Sequence, residues 1–215
     1  MKVKIKICGF TRKKDIEDAV KEGIDFIGLN FFPKSPRYIE PKVAEKLLEG
    51  LEGDFKKIGV FVNPDLKGIE KIVKKLRLDG IQLHGNEPPS LIKKFKKIFP
   101  EKIVIKAIRV KDKDSLRKLK KYKPDFFLLD AYSEEIFGGT GKNLDYLLLE
   151  GEELPWEKIF LAGGITPENV RDILKKFKPY GIDVASGVEI APGVKDIEKI
   201  KKLIKEVSSL NPSCF

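Results

Sequence analysis

Few side chains in this sequence are suited to bond-making chemistry, and Cys8 is the first of them. It closes the run Val3–Cys8, in which Val3, Ile5 and Ile7 alternate with Lys2, Lys4 and Lys6, and Gly9 follows at once. An ionised thiol is a nucleophile or a base, whereas a lone cysteine also serves as a small buried hydrophobe. Asp130 ends the run Phe127-Leu128-Leu129. Partial burial beside those neighbours would raise its pKa toward a useful general acid, although a carboxylate there could equally cap or pair locally. Arg37 lies in Pro33-Lys34-Ser35-Pro36-Arg37-Tyr38, a loop stiffened by two prolines. Its guanidinium could hold a carboxylate through two hydrogen bonds or could face solvent. His84, the single histidine, could contact a substrate or hydrogen-bond locally.

Two glycine-bearing turns suggest an anion site. Ala162-Gly163-Gly164-Ile165 and Ala185-Ser186-Gly187-Val188 each follow an apolar run. Gly163, Gly164, Ser186 and Gly187 would let backbone N–H groups approach a phosphate. Gly138-Gly139-Thr140-Gly141-Lys142 lacks the spacing of a nucleotide-binding loop, so Gly139 and Gly141 read as parts of a loop over the site. Cys8 and Cys214 stand at opposite ends of the chain. With one histidine, they offer no metal-binding pattern and no disulfide framework.

These residues need elements to position them. Eight apolar runs recur along the chain: Val3–Cys8, Phe26–Asn30, Lys57–Val62, Gly80–His84, Ile103–Ala107, Phe126–Asp130, Ile159–Ala162 and Ile182–Ala185. Most are separated by amphipathic helical patterns, the first capped by Thr11, the second with Pro41 at its first turn, and the seventh opened by Thr166-Pro167. The segment Asn143–Leu149 is the shortest of these. Strand–helix alternation over 215 residues predicts one α/β domain, a parallel (β/α)8 barrel over 1–207 with a polar tail at 208–215. An open doubly wound sheet is the rival, but Cys8-Gly9-Phe10-Thr11 is no dinucleotide fingerprint. In a barrel, chemistry gathers at strand C-termini, where Cys8, His84, Asp130, Gly163 and Ser186 all fall.

Strand parity adds one expectation. If Cys8 points inward, so does Lys6, and Asp183 in the eighth strand lies opposite once the first and eighth strands pair. A buried Lys6–Asp183 pair beneath the site would keep Lys6 charged and favour the thiolate of Cys8.

The net charge of +10 invites comparison with nucleic-acid binders, yet 37 of the 43 basic residues are lysines scattered along helices, often beside glutamates. Clustered arginines with interleaved aromatics are missing, so no nucleic-acid partner is expected; the surface instead resembles that of a heat-adapted protein. Its positive potential would draw in an anionic substrate. Lysines interrupt the first apolar stretch, and no run reaches transmembrane length, so a cytoplasmic protein with no membrane partner is expected. Oligomeric state, monomer or homodimer, is open; Phe31-Phe32 could form an interface or a lid.

Seven blocks carry a family resemblance: Lys6-Ile7-Cys8-Gly9, Phe32–Tyr38, Gln82-Leu83-His84-Gly85, Leu129-Asp130, Gly138–Lys142, Leu161–Ile165 and Asp183–Glu189. Together, in order and spacing, they resemble the phosphoribosylanthranilate isomerases. The resemblance implies an Amadori rearrangement in tryptophan biosynthesis with no metal or organic cofactor. The substrate would be a small phosphosugar–anthranilate. Asp130 would be the general acid and Cys8 the general base; Arg37 would hold the anthranilate carboxylate, and the Gly163-Gly164 and Ser186-Gly187 loops the phosphate. Other phosphate-binding barrels fit less well. An indole-glycerol-phosphate synthase needs a lysine and a glutamate at strand ends, and a phosphosugar epimerase a metal site or acid pair.

Overall fold

The computed structural model describes residues 2–132 and 144–210. Eight parallel strands close into a barrel: β1 (Lys4–Cys8), β2 (Phe26–Asn30), β3 (Lys56–Phe61), β4 (Gly80–Leu83), β5 (Ile103–Val110), β6 (Phe126–Ala131), β7 (Ile159–Leu161) and β8 (Gly181–Val184). They are short and rich in Ile, Val, Leu and Phe because both faces are covered, by the barrel interior on one side and by helices on the other. The helices are α1 (Lys13–Lys21), α2 (Pro41–Leu48), α3 (Leu66–Leu76), α4 (Pro89–Ile98), α5 (Lys113–Arg117), α6 (Val170–Lys176) and α7 (Ile197–Ser208). After β8 comes a 3-10 turn, Ser186–Val188, and then a hairpin of β9 (Glu189–Ala191) and β10 (Val194–Lys195). No helix among the described residues is long and apolar enough to cross a membrane.

The expected strands match the observed ones to within a residue at most ends. The exception is β5, which runs to Val110 rather than Ala107 because it stays paired with β6 as far as Ala131. Three details of the helix layer differ. Between β6 and β7 the described residues form 3-10 turns rather than an α-helix: Trp156–Lys158 and, where the helix is expected, Tyr146–Leu149. Only Leu149 of that turn is fully buried, and Leu147 points to solvent, so one turn exhausts the apolar periodicity. Thr11 does not cap α1; its hydroxyl donates to the Gly193 carbonyl at 2.7 Å, and Arg12 occupies the cap position. Thr166 accepts from the Glu168 N–H in a turn that precedes α6, which starts at Val170.

Register is fixed at the N-terminal rim by a repeated device. Asp25, Asp79 and Asp125 immediately precede β2, β4 and β6, and their carboxylates accept the backbone N–H groups of Ile5, Lys57 and Val104 at 2.7–2.9 Å. Two apolar layers result. One packs the strands against the helices. The other fills the barrel with Phe26, Ile58, Ile105, Ala107, Leu128, Phe160 and Ala162. Its lower end is aromatic: Phe26 and Phe160 meet edge to face at 5.3 Å between centroids, and Phe126 stacks on Tyr180 at 4.3 Å. Phe31, considered for an interface or lid, is instead buried against Phe61.

Buried charge in the upper barrel is met by partners. Lys106, in β5, donates to Glu87 at 2.9 Å and to the carbonyls of Leu83, Gly85 and Ala107 at 2.8–3.2 Å. Glu87 accepts in turn from the N–H groups of Asn63 and Gly85, so the pair ties the loop after β4 to its neighbours. Both side chains are buried. Lys106→Met strands the Glu87 carboxylate and should cost about 3–5 kcal/mol of unfolding free energy. Urea denaturation measures this, and a loss below about 1 kcal/mol would exclude a structural role for the pair.

Candidate active site

At the C-terminal mouth of the barrel, Cys8 ends β1 and Asp130 lies one residue before the end of β6. Cys8 sits above Lys6, whose ammonium donates to Asp183 Oδ1 at 2.9 Å, and the β1–β8 register sets Lys6 opposite Asp183. The pair expected from strand parity is therefore present. Gly28 in β2 provides the room for it: a Cβ there would stand 2.7 Å from Cys8 Sγ and 3.1 Å from Lys6 Nζ. Sequence reading gave Gly28 no role, since the need for a missing side chain arises only from its neighbours across the sheet.

The electrostatics depart from one expectation. Asp183 and Cys8 outweigh the cost of burial on Lys6, and its pKa is raised, so it stays an ammonium. For Cys8, burial is the largest influence and pushes the thiol up; Lys6 and Lys195 pull it down, Asp183 pushes it up, and the net shift is upward. Lys6 thus favours the thiolate but does not prevail. The thiol form of Cys8 is therefore favoured over the thiolate.

Asp130 is buried and held from two sides. Its Oδ1 accepts the Ala131 N–H at 2.8 Å, and its Oδ2 lies 3.1 Å from His84 Nε2. Gln82 Nε2 donates to His84 Nδ1 at 2.8 Å, a tautomer in which His84 Nε2–H donates to Asp130. His84 thus links Gln82 to Asp130 within the barrel mouth. Tyr146, which no motif singles out, donates to the carbonyls of Ala162 and Gly163. Its phenol is pushed well up, by burial first and by Asp130 second, so it remains a donor beside the carboxyl group.

Arg37 does not face solvent. Glu189, at the start of the hairpin after β8, takes its Nε and Nη2 edge at 2.6–3.1 Å, and both side chains are buried. The stem of Arg37 passes over Gly9, which adopts φ +81° and whose Cβ, if present, would strike Arg37 Cδ. Gly163 and Gly164 follow β7 with φ +83° and +81°, and Ser186 and Gly187 form the 3-10 turn after β8. The two candidate phosphate loops thus lie on adjacent strands. Gly139, Gly141 and Cys214 fall outside the described residues. Among the described residues, no group of three His, Cys, Asp or Glu side chains is arranged to hold a metal.

The family profile of N-(5'-phosphoribosyl)anthranilate (PRA) isomerase matches residues 5–206. An N-(5'-phosphoribosyl)anthranilate isomerase of Thermoanaerobacter pseudethanolicus is 42% identical over 208 residues, covering 97% of this chain and 99% of the relative. The crystal structure of phosphoribosyl anthranilate isomerase from Thermotoga maritima is similar, with a TM-score of 0.85 at 35% identity, over 97% of this chain and all of that one. A structure of such an isomerase in complex with reduced 1-(o-carboxyphenylamino)-1-deoxyribulose 5-phosphate has a TM-score of 0.82 at 34% identity, over 97% of this chain and all of that one. With its closed barrel and the matched span running from β1 into α7, the chain belongs to the N-(5'-phosphoribosyl)anthranilate isomerase family.

Proposed function

We propose that this chain converts N-(5-phosphoribosyl)anthranilate into 1-(2-carboxyphenylamino)-1-deoxyribulose 5-phosphate, with Asp130 as general acid and Cys8 as general base. The observation that carries the mechanism is a thiol and a carboxyl group at C-terminal strand ends of one barrel, each fixed by its own partners. Asp130 protonates the furanose ring oxygen, and the ring opens to a Schiff base. Cys8 removes the proton from C2′, giving an enolamine that tautomerises to the ketone. The substrate is a small anion at both ends. Arg37, whose guanidinium Glu189 orients, meets its carboxylate, and the backbone N–H groups around Gly163-Gly164 and Ser186-Gly187 receive the phosphate.

The charges suit the order of these steps. A neutral thiol is a poor base, so the thiolate must be stabilised when it is needed. Opening the ring builds positive charge on the substrate nitrogen, which adds to that of Lys6 and favours the thiolate before proton abstraction. His84 holds Asp130 in place, and that hydrogen bond supports the carboxylate formed when the acid has given up its proton.

Cys8→Ser and Asp130→Asn should each lower kcat by ~10²–10⁴-fold with much smaller changes in KM. Loss of the fluorescent anthranilate-linked substrate reads both constants, and turnover within a few-fold of wild type would rule out the assigned role. Arg37→Ala should mainly raise KM.

Lys6→Met removes the nearest ammonium from the thiol and leaves Asp183 unpaired beside it, and both changes push the thiol further up. Alkylation by iodoacetamide, followed on the Cys8 peptide across pH, should shift to higher pH by about one unit or more. An unchanged profile would show that Lys6 exerts no control over Cys8.

A further inference from the structure

Three charged side chains that meet only in the folded chain share one buried cluster beside Cys8. Glu189 accepts from Arg37 Nε and Nη2, from Lys195 Nζ at 2.6 Å and from the Gly193 N–H at 3.1 Å. Lys195 Nζ also donates to the backbone carbonyl of Cys8 at 2.5 Å and lies 5.4 Å from the centroid of the Phe10 ring. The side chains of Arg37, Glu189 and Lys195 are at most 5% exposed. Burial alone would push the Glu189 carboxyl up, but Arg37 and Lys195 outweigh it and hold it below its usual range, so it is ionised.

The cluster joins the two ends of the site. Arg37 comes from the loop after β2, Cys8 from β1, and the hairpin carrying Glu189 and Lys195 reaches across to both. We propose that Glu189 is a positioning residue that couples the grip on the substrate carboxylate to the placement of the base. On one side it fixes the plane of the Arg37 guanidinium by a two-point contact. On the other it anchors Lys195, which holds the last peptide of β1 and with it the height of Cys8. An arginine with one edge pinned in this way meets a carboxylate in a single orientation and loses little side-chain freedom on binding. A base held through the same carboxylate stays in register with the bound substrate, and misplacement by about 1 Å costs on the order of 10²-fold in rate.

The proposal rests on the reading of Arg37 as carboxylate clamp and Cys8 as base, and steady-state kinetics separates the two. Glu189→Gln keeps the shape and removes the charge. It should raise KM about tenfold and lower kcat at the same time, since both limbs lose their anchor. Lys195→Met cuts only the Cys8 limb and should lower kcat with little change in KM. Introduced into Arg37→Ala, Glu189→Gln should add nothing further to KM yet still lower kcat, the non-additivity expected of groups acting through one contact. Wild-type constants in Glu189→Gln, or KM effects that simply multiply in the double variant, would overturn the proposal. An unchanged KM in Arg37→Ala would instead overturn the clamp reading, and this inference with it. Should Glu189→Gln fail to fold, Glu189→Asp, which withdraws the charge by one methylene, carries the same test. It should shift both constants in the same directions, and wild-type constants there overturn the proposal.

Discussion

Lys6 carries a full charge into the axis of the barrel, and Asp183 meets it across the seam where β1 and β8 close the sheet. An ammonium with no exposed surface would cost several kcal/mol without such a partner. Closure and charge pairing are therefore one event. A slip of one residue between β1 and β8 would turn Lys6 into the helix layer and set an isoleucine against the carboxylate. The register is specified more sharply than apolar packing alone would achieve. Because Cys8 is two residues further along the same face, its height in the barrel follows from the same pairing, and Gly28 leaves the space both side chains occupy.

The same rule organises the rest of the upper barrel. Lys106 brings Glu87, and Lys195 shares Glu189 with Arg37. The lower half holds no comparable cluster among the described residues; it is filled by Phe26, Phe126, Phe160 and Tyr180. One half of the barrel is a packed aromatic core that needs no partners, and the other is a set of ion pairs whose orientation the apolar half makes rigid. Replacing a buried ion pair by well-packed apolar residues is often neutral or stabilising, so stability alone does not account for these pairs. Their retention at the mouth makes sense as a means of fixing directions, since a bidentate carboxylate determines where a guanidinium points in a way that dispersion contacts cannot.

The strands were legible in the sequence because parallel strands covered on both faces leave short, nearly continuous apolar runs. The Lys6–Asp183 pair was legible too, since inward parity and the closure of β1 on β8 leave few positions to choose from. Glu189 was quoted only as part of a motif, and its role was not: it meets Arg37 across 152 residues, through a hairpin that no periodicity marks. Thr11 illustrates the local version of the same limit. Its residue type and position suit a helix cap, but the Gly193 carbonyl of that hairpin competes for its hydroxyl and wins. The helix expected between β6 and β7 shortened to a 3-10 turn because the number of turns an element can bury depends on what packs over it.

Cys8 shows how placement and reactivity oppose one another. The enclosure that fixes the thiol between Lys6 and Gly28 also removes the water that would solvate its thiolate, and the second effect is the larger. Lys6 reduces this penalty without cancelling it, because Asp183, which keeps Lys6 charged, itself disfavours a second anion nearby. The site therefore favours the thiol, and under the general-base role proposed for Cys8 the positive charge that forms on bound substrate shifts the balance toward the thiolate. A base with this dependence gains strength as that charge forms. That matters for sulfur, since the thiolate is also the form open to oxidation and alkylation. On this view the ion pair beneath Cys8 does more than hold it in place. It lowers the cost of ionising the thiol, and in the proposed mechanism the charge that develops on the substrate acts in the same direction.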